Sequence, residues 1–241
     1  MLTLDVVPGV HRVQHASTCC YLVESEGQVV LVDGGFPATH GRLGSLLERL
    51  GLGWPDLDAI VLTHAHFDHL GVCAGLEKEL GIRTWVHAGD ARIARHPYRY
   101  RPGRPRLLYP VAYPRSLRHL GAMTAAGALA VRGVEEPQVF DDDGPPLPGA
   151  LVAVPTPGHT DGHVALHLPA VDAVLNGDAL VTLAPYTGRT GPRIVARAGT
   201  KDRETALGSL RAIAATGATH VLPGHGEPWS DGVEWACAEA A

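Results

Sequence analysis

The sequence is poor in cysteine and has no long apolar run. Its cysteines show neither the C-x-x-C spacing of a zinc ribbon nor the density of a disulfide scaffold, so we expect reduced thiols at Cys19, Cys20, Cys73 and Cys237. No stretch approaches the roughly 18 uninterrupted apolar residues that a membrane-spanning helix needs. Residues 1–14 lack the basic and apolar regions of a secretion signal. These absences favour a cytoplasmic protein that does not act in a membrane.

Long runs of like charge and an excess of basic residues are also missing. The formal net charge is -5 at pH 7, which argues against a protein that binds nucleic acid through its phosphates. Hydrophobic residues make up 45% and charged residues 19% of the 241 residues, a balance typical of globular proteins. A chain of this length buries roughly 70% of the surface that its unfolded form exposes. We therefore expect one domain over residues 1–241 and no nucleic-acid partner.

Apolar patterning predicts strands that alternate with helices. Helices are indicated where apolar residues recur at spacings of three and four, as at Leu43, Leu46 and Leu47 before Gly51. The predicted helices are 39–50, 70–80, 90–95 and 202–215. The predicted strands are 2–7, 11–15, 20–24, 28–32, 58–63, 84–87, 151–155, 163–168, 173–176 and 219–222. This order predicts an α/β fold with two sheets covered by helices.

Residues 96–118 differ from the rest of the chain. The segment is rich in arginine, proline and tyrosine and has no acidic residue. This composition predicts a loop or lid. One interpretation is a solvated connection; the other is an element that covers a small-molecule substrate, in which Arg99 and Arg101 favour an anionic partner. An exposed apolar lid would also suit a homodimer.

Four side chains that can bind metal follow one buried strand. The sequence Thr-His-Ala-His-Phe-Asp-His over residues 63–69 begins where the apolar run 59–62 ends, a position that active sites favour in α/β folds. On an extended backbone His64 and His66 share a face, and Asp68 and His69 can reach a second point nearby. One segment can thus serve two metal ions. Imidazole and carboxylate donors suit zinc, and also iron or manganese.

Three more candidate ligands stand just after apolar runs. They are His159 in Thr-Pro-Gly-His-Thr, Asp178 in Asn-Gly-Asp, and His225 in Pro-Gly-His-Gly. Each one alone is more typical of a turn or cap, but their recurrence at several strand ends predicts one metal site. His163 begins a predicted strand, and we expect it at most to support the ligands from behind.

The pattern His64-x-His66-x-Asp68-His69, followed by His159, Asp178 and His225, resembles the metallo-β-lactamase superfamily over nearly the whole chain. The resemblance implies a four-layer αββα sandwich with the metal site at the edge between two sheets. It implies that His64, His66 and His159 hold one metal ion, that Asp68, His69 and His225 hold the other, and that Asp178 bridges them. It further implies that Asp33, in Val-Asp-Gly-Gly, supports the site without binding metal.

The chemistry that the resemblance implies is hydrolysis. Two zinc ions would lower the pKa of a shared water and present it as a bridging hydroxide, which attacks an ester, thioester or lactone in a small acyl substrate. Asp68 would act as the catalytic residue that orients the water or carries its proton. A binding protein that keeps such a site without turnover is a less favoured interpretation.

Departures from known branches narrow this expectation. True β-lactamases carry an export signal and do not use a bridging Asp where Asp178 stands. The glyoxalase II and lactonase-like branch is the one that the ligands resemble. Glyoxalase II shares all seven metal positions but has a basic helical extension, whereas sixteen residues follow His225. Acyl-homoserine lactonases share the ligands too and place a Tyr three residues after the bridging Asp; Val181 stands there, and Tyr186 is the candidate replacement for substrate binding. Phosphodiesterase activity is disfavoured by the acidic charge balance.

A different reaction class also shares the motif. Persulfide dioxygenases have the same Thr-Pro-Gly-His-Thr sequence, found here over residues 156–160, but bind a single iron ion. In this chain the iron ligands would be His64, His159 and Asp178. This oxidoreductase is the alternative to the dinuclear hydrolase.

Overall fold

The computed structural model describes residues 1–105, 108–142 and 147–241. Within them, the larger sheet holds strands in the order β1 to β7, antiparallel from β1 to β4 and parallel from β4 to β7. The strands are β1 (Leu2–Val7), β2 (Val10–His15), β3 (Thr18–Ser25), β4 (Gln28–Val32), β5 (Ala59–Val61), β6 (Arg83–His87) and β7 (Gln138–Phe140).

The second half of the chain forms a smaller sheet and a separate hairpin. The sheet has the order β13-β10-β9-β8, in which β10 and β13 are parallel. Its strands are β8 (Val152–Pro155), β9 (Val164–Leu168), β10 (Ala173–Gly177) and β13 (His220–Pro223). The hairpin pairs β11 (Val181–Ala184) with β12 (Arg189–Arg193).

Helices cover the outer faces of both sheets. The first sheet carries α1 (His40–Arg49), α2 (Cys73–Leu80) and α3 (Ala91–Arg95), and the second carries α6 (Arg203–Ala214) and α7 (Val233–Ala240). Helix α1 forms because its leucines share one face, and Leu43, Leu46 and Leu47 are all buried. Each such side chain contributes roughly 1.5–3 kcal/mol on full burial.

The two sheets face each other through a second apolar core. Val30 and Val32 from the first sheet pack in the same cluster as Leu166 and Leu175 from the second. Neighbouring Cys19 and Cys20 lie in different cores because successive strand residues point to opposite faces, and all four cysteines are buried and free. Helix, sheet, sheet and helix stack in four layers, and the predicted αββα sandwich is confirmed.

Residues 96–118 are more helical than their composition predicts. They contain α4 (Leu108–Ala112) and the start of α5 (Ser116–Ala125). The segment therefore combines loop with short helices. Pro110 lies in the first turn of α4 and Pro114 stands just before α5, and both are positions where proline is tolerated. Residues 106 and 107 of this segment lie outside the described residues.

Some predicted element boundaries shift for reasons that concern the site. The predicted strand 58–63 narrows to β5 because Thr63 N donates to Asp33 Oδ1 and not to a neighbouring strand. The predicted helix 70–80 begins at Cys73, because Gly71 N donates to Gly35 O and the backbone there is a turn. Among the described residues, no helix combines the length and apolarity needed to cross a bilayer.

Candidate metal centre

The carboxyl ends of two parallel strand pairs meet at one edge of the sandwich. Asp33 follows β4, and the histidine-rich loop 63–69 follows its neighbour β5. In the other sheet Asp178 follows β10, and His225 lies shortly after the paired strand β13. The remaining candidate ligand, His159, lies in the turn between β8 and β9. The structure therefore brings together all seven sequence-predicted ligands, and all seven are buried.

Backbone hydrogen bonds connect the two halves at this edge. Val164 N, at the start of β9, donates to Thr63 O at 2.8 Å. Cys19 N, on β3, donates to Gly224 O at 2.8 Å, next to His225. The ligand-bearing loops of the two sheets are thus fixed relative to each other by the main chain.

The ligand atoms form three overlapping groups. In each group the ligand atoms lie within 4.8 Å of one another, and the groups are His64 with His66 and His159, His64 with His69 and Asp178, and Asp68 with His69 and His225. The first and third groups match the two ligand sets that the family resemblance implies. His69, from the third group, and Asp178 share the second group with His64.

Asp178 lies between the two ligand sets. Its Oδ2 is 3.4 Å from His159 Nε2 and 3.2 Å from His225 Nε2, and its Oδ1 is 3.6 Å from His69 Nε2. His225 Nε2 is also 3.4 Å from Asp68 Oδ2. One carboxylate therefore contacts imidazoles of both sets, which is the position required of a bridging ligand.

Hydrogen bonds outside the centre orient three of the imidazole rings. His69 Nδ1 donates to Asp33 Oδ2 at 2.9 Å, and His225 Nδ1 donates to Ser17 O at 2.8 Å. His159 Nδ1 donates to Thr200 Oγ1 at 3.3 Å, and this hydroxyl donates in turn to a carbonyl. In each ring the outer nitrogen makes this hydrogen bond, so Nε2 is the nitrogen that faces the centre.

Asp33 organises the loop that follows β5. Its carboxylate accepts hydrogen bonds from Thr63 N at 2.9 Å and from Thr63 Oγ1 at 2.8 Å, besides the bond from His69. Thr63 Oγ1 also accepts from His64 Nδ1 at 3.1 Å. A single carboxylate thus sets the orientation of His69 directly and of His64 through a hydroxyl. The backbone of Asp33 has φ 62, a conformation that Asp and Asn adopt more readily than most residues.

His163 lies behind the centre, with its ring centroid 4.9 Å from that of His64, and bonds to the backbone of Asp178. Its Nδ1 lies 2.7 Å from Thr156 Oγ1, and its Nε2 accepts a hydrogen bond from Asp178 N at 3.0 Å. Burial lowers the pKa of His163 to about 3, so the ring is neutral and its Nε2 can accept. Both ring nitrogens are therefore occupied, and His163 positions the backbone of Asp178.

Several buried atoms in the centre lack a protein partner, which fits a bound cation. Among the described residues, His64 Nε2, His66 Nε2, His69 Nε2 and Asp178 Oδ1 are buried without a hydrogen bond. His66 Nδ1 and His159 Nε2 face each other at 2.8 Å. Leaving such atoms unsatisfied costs about 1–3 kcal/mol each. Imidazole and carboxylate donors in this number are the ligands of divalent zinc, iron and manganese ions.

The protonation states of the ring nitrogens also fit metal binding. Burial lowers the pKa of His64 and His66 well below the ordinary value and that of His159 to about 3, so these rings are neutral ligands. Burial alone would lower the pKa of His69 and His225 as well, but nearby carboxylates, Asp178 among them, raise both. A cation would compensate the same negative charge and release these protons.

Asp68 is ionised in this setting. Burial by itself raises the pKa of a carboxyl group, but the hydrogen bond and the charge of His225, together with His69, bring the pKa of Asp68 down to about 2. The same imidazoles lower the pKa of Asp178 against the effect of its burial. Both carboxylates therefore carry negative charge at neutral pH.

Asp90 is a functional residue that sequence reasoning missed. It is fully buried after β6, and Oδ2 accepts from Ala65 N at 2.9 Å and from Thr160 Oγ1 at 2.7 Å. Its Oδ1 accepts from Gly162 N at 2.9 Å. Asp90 therefore ties the loop that carries His64 and His66 to the loop that carries His159. The available signal is an acidic residue shortly after a strand, which is equally typical of the start of a helix.

Gly224 allows the two ligand sets to approach. A Cβ on this residue would overlap Asp178 Oδ1 and lie 2.9 Å from His69 Cε1. The φ of Gly224 is not in the left-handed region, so the requirement for glycine is steric. The glycine before His225 is thus explained by the space that the Asp178 carboxylate occupies.

An apolar cavity of about 250 Å³ opens onto the centre. Asp68, Asp178, His66, His159 and His225 form its floor. Its walls are mostly apolar or aromatic and include Phe67, Tyr98, Leu120, Met123, Tyr186 and Val195. Tyr186, the candidate substrate-binding residue, is thus one of the lining residues, and its ring centroid lies 5.8 Å from that of Tyr109.

A second pocket, of about 350 Å³, adjoins the same centre and is basic. Arg99 and Arg101 line it, as do Arg92, Lys201 and Asp161. Tyr100, with its ring centroid 4.0 Å from that of His66, lines both pockets. The two arginines predicted to contact substrate thus lie beside the candidate ligands His66 and His159.

Similarity to known proteins extends over most of the chain. A sequence profile of the metallo-beta-lactamase superfamily matches residues 16–225. The probable metallo-hydrolase YflN of Bacillus subtilis is 28% identical, and the match covers 93% of this chain and 86% of that protein. A hydroxyacylglutathione hydrolase of Jannaschia sp. is 30% identical over 54% of this chain and 36% of its own length.

Two of the solved structures with the same architecture share more than 25% sequence identity with this chain. The metallo-beta-lactamase family protein TTHA1429 from Thermus thermophilus superposes with a TM-score of 0.70 at 28% identity, over 98% of this chain and 79% of that one. TTHA1623 in a di-iron-bound form superposes with a TM-score of 0.62 at 26% identity, over 90% of this chain and 92% of that one.

Proposed function

This chain is a metallo-hydrolase that belongs to the metallo-β-lactamase superfamily, and from that premise we propose that it uses two zinc ions to cleave an ester, thioester or lactone in a small acyl substrate. The observation that carries the proposal is the position of Asp178 between two complete ligand sets. The partial likeness to a hydroxyacylglutathione hydrolase supports a thioester among the candidate bonds. The buried, free cysteines support a cytoplasmic location.

The ligand assignment follows the two outer groups. His64, His66 and His159 would hold one ion, and Asp68, His69 and His225 the other, with Asp178 shared between them. When bound, the ions would supply a water of lowered pKa and polarise the scissile carbonyl. The full second set favours this dinuclear hydrolase over an enzyme that needs only His64, His159 and Asp178.

Asp68 is the residue that can move a proton. It lines the apolar cavity, and its carboxylate is ionised because its pKa is lowered to about 2. It can accept the proton that the attacking water gives up and deliver it to the leaving group. The aromatic and aliphatic walls of the cavity, Phe67 and Met123 among them, would give this step surroundings of low polarity.

Metal analysis combined with a substrate panel tests the proposal. We expect protein purified without added metal to contain close to two zinc ions per chain and to hydrolyse at least one member of an ester, thioester and lactone panel. Asp68→Asn should lower kcat by about 10²–10⁴-fold, the usual range for a lost acid–base group. Asp142→Asn, an exposed carboxylate bonded to His87, is the matched control and should change neither property.

Besides a failure to hydrolyse any panel member, two results would overturn the proposal. One is turnover that survives in both Asp68→Asn and His66→Ala with full metal content. The other is close to one iron ion per chain with oxygen consumption on a persulfide, which would establish the dioxygenase reaction with His64, His159 and Asp178 as ligands.

A further inference from the structure

The cleft at the metal centre has two sides of opposite character. The apolar cavity and the basic pocket share His66, His159 and Tyr100 and no other described residue. Two of these three are candidate metal ligands. A bond held at the metal centre therefore lies where the two pockets join.

The apolar side is lined mainly by aromatic and aliphatic side chains. Among the described residues, no lysine, arginine or glutamate lines it, and its two carboxylates belong to the centre. Tyr98 also lines the apolar cavity. Its hydroxyl already bonds to the backbone, because it donates to Ala128 O at 2.9 Å and accepts from Val131 N at 2.8 Å. The ring of Tyr98 stacks with that of Phe67 at 5.9 Å. This side is built to bury a hydrocarbon group.

The basic side concentrates positive charge in a small volume. Arg92, Arg99, Arg101 and Lys201 line it, and among the described residues Asp161 is its one carboxylate. Asp161 is already engaged, with Oδ2 2.6 Å from Lys201 Nζ. Three guanidinium groups therefore remain in excess of the negative charge. Guanidinium groups recognise carboxylate, sulfonate and phosphate through paired hydrogen bonds.

We propose that the substrate is an amphiphilic anion that spans both pockets. Its hydrocarbon group occupies the apolar cavity, its anionic group lies against Arg99 and Arg101, and the scissile ester or thioester lies between them below Tyr100. This inference rests on the proposed hydrolase function for the bond that is cut. The two-sided recognition is a binding property and can be measured without turnover.

Binding of stable amides to the zinc-loaded protein tests both sides. N-hexanoyltaurine carries a sulfonate where N-hexanoylethanolamine carries a hydroxyl, so this pair tests the anionic group. N-acetyltaurine has a shorter hydrocarbon group than N-hexanoyltaurine, so this second pair tests the apolar cavity. Isothermal titration calorimetry at low salt should show tighter binding of the sulfonate by about tenfold or more. It should show a similar or larger preference for hexanoyl over acetyl, because each buried methylene adds to affinity.

Variants with matched controls assign each preference to its pocket. The double substitution Arg99→Ala with Arg101→Ala should reduce the sulfonate preference by about fivefold or more. The control is Arg49→Ala with Arg211→Ala, which removes two exposed arginines from α1 and α6 and should leave the sulfonate preference unchanged. Leu120→Ser in α5 should reduce the hexanoyl preference, whereas Leu117→Ser, on the same helix but outside the cavity, should not.

The possible outcomes separate this inference from the hydrolase proposal. Recognition of the anionic group by the basic pocket is overturned by equal affinity for the sulfonate and the hydroxyl probe. It is also overturned if the sulfonate preference falls equally in the two arginine double variants. Equal affinity for hexanoyl and acetyl overturns the apolar side. Both preferences without hydrolysis of any panel member would sustain the two-sided recognition and overturn the hydrolase.

Discussion

Thr160 Oγ1 donates a hydrogen bond of 2.7 Å to Asp90 Oδ2 and so joins two parts of the chain that are 70 residues apart. The same carboxylate oxygen accepts from Ala65 N, between His64 and His66. Since Thr160 follows His159, Asp90 fixes the distance between two ligand-bearing loops without lying among the ligands.

Replacing Asp90 should therefore impair metal binding as well as stability. Asp90→Asn puts an amide N–H group against backbone or hydroxyl donors and should cost about 1–3 kcal/mol of unfolding free energy. Metal content per chain should fall with it. Asp58→Asn is the control, because Asp58 Oδ2 accepts from Val29 N at 2.7 Å at the opposite end of β5. Urea titration and elemental analysis measure both effects, and equal metal loss in the two variants would contradict the role assigned to Asp90.

Asp33→Asn should weaken the metal set that contains His69. Asn tolerates the positive φ of residue 33, so the backbone is kept while one of the three accepted hydrogen bonds meets an amide N–H group. Loss of such a partner behind a ligand typically lowers metal affinity about 10–100-fold. A chelator-competition titration should show one weakened site. Asp172→Asn changes another carboxylate with positive φ, bonded to Thr219 N, and should leave metal affinity unchanged.

Gly224→Ala should disable the centre through a single methyl group. The added Cβ overlaps Asp178 Oδ1, so the bridging carboxylate must move. We expect loss of at least one metal ion per chain and a fall in kcat of about 100-fold or more, as for other displaced catalytic geometries. The control is Gly208→Ala in α6, where an added Cβ meets nothing nearby. This variant should raise the free energy of unfolding by about 0.5–1 kcal/mol. Full metal content and activity in Gly224→Ala would show that the site adapts.

Metal removal should lower the melting temperature. Each ion that binds only the folded chain stabilises it by about 4 kcal/mol when free metal is 1,000-fold above Kd. For a chain of this size that corresponds to roughly 8–16 °C in Tm for each site. Calorimetry with and without dipicolinate measures the shift, and readdition of zinc should reverse it. Metal removal should shift the Tm of Asp178→Asn less, because this variant lacks the shared ligand. Identical Tm values with and without chelator in the unaltered protein would contradict the prediction.

The ligand positions were predictable from sequence because each lies just after an apolar strand. Residues 63–69 carry four donors in one short run, and the Gly-His and Gly-Asp pairs mark the other strand ends. The layer order was predictable for a similar reason, since apolar periodicity reports which face of each element is buried.

Contacts between distant segments were not predictable in the same way. Asp90 bonds to positions 25, 70 and 72 residues away, and no local pattern distinguishes that role from the start of a helix. The hairpin of β11 and β12 was missed because its sequence contains Pro185, Gly188 and Gly191, which are typical of loops. Its strands are held by pairing across the hairpin, for example Leu183 with Thr190.

The main-chain bonds from Val164 to Thr63 and from Cys19 to Gly224 have a consequence for biosynthesis. During translation His64, His66, Asp68 and His69 emerge first, yet the first ligand set is complete only with His159 and the second only with His225. A nascent chain that exposes the histidine-rich loop alone would therefore lack the residues that complete either proposed set. On this assignment metal loading would be a late event in synthesis, and the metal content of a preparation would count the chains whose two halves have docked.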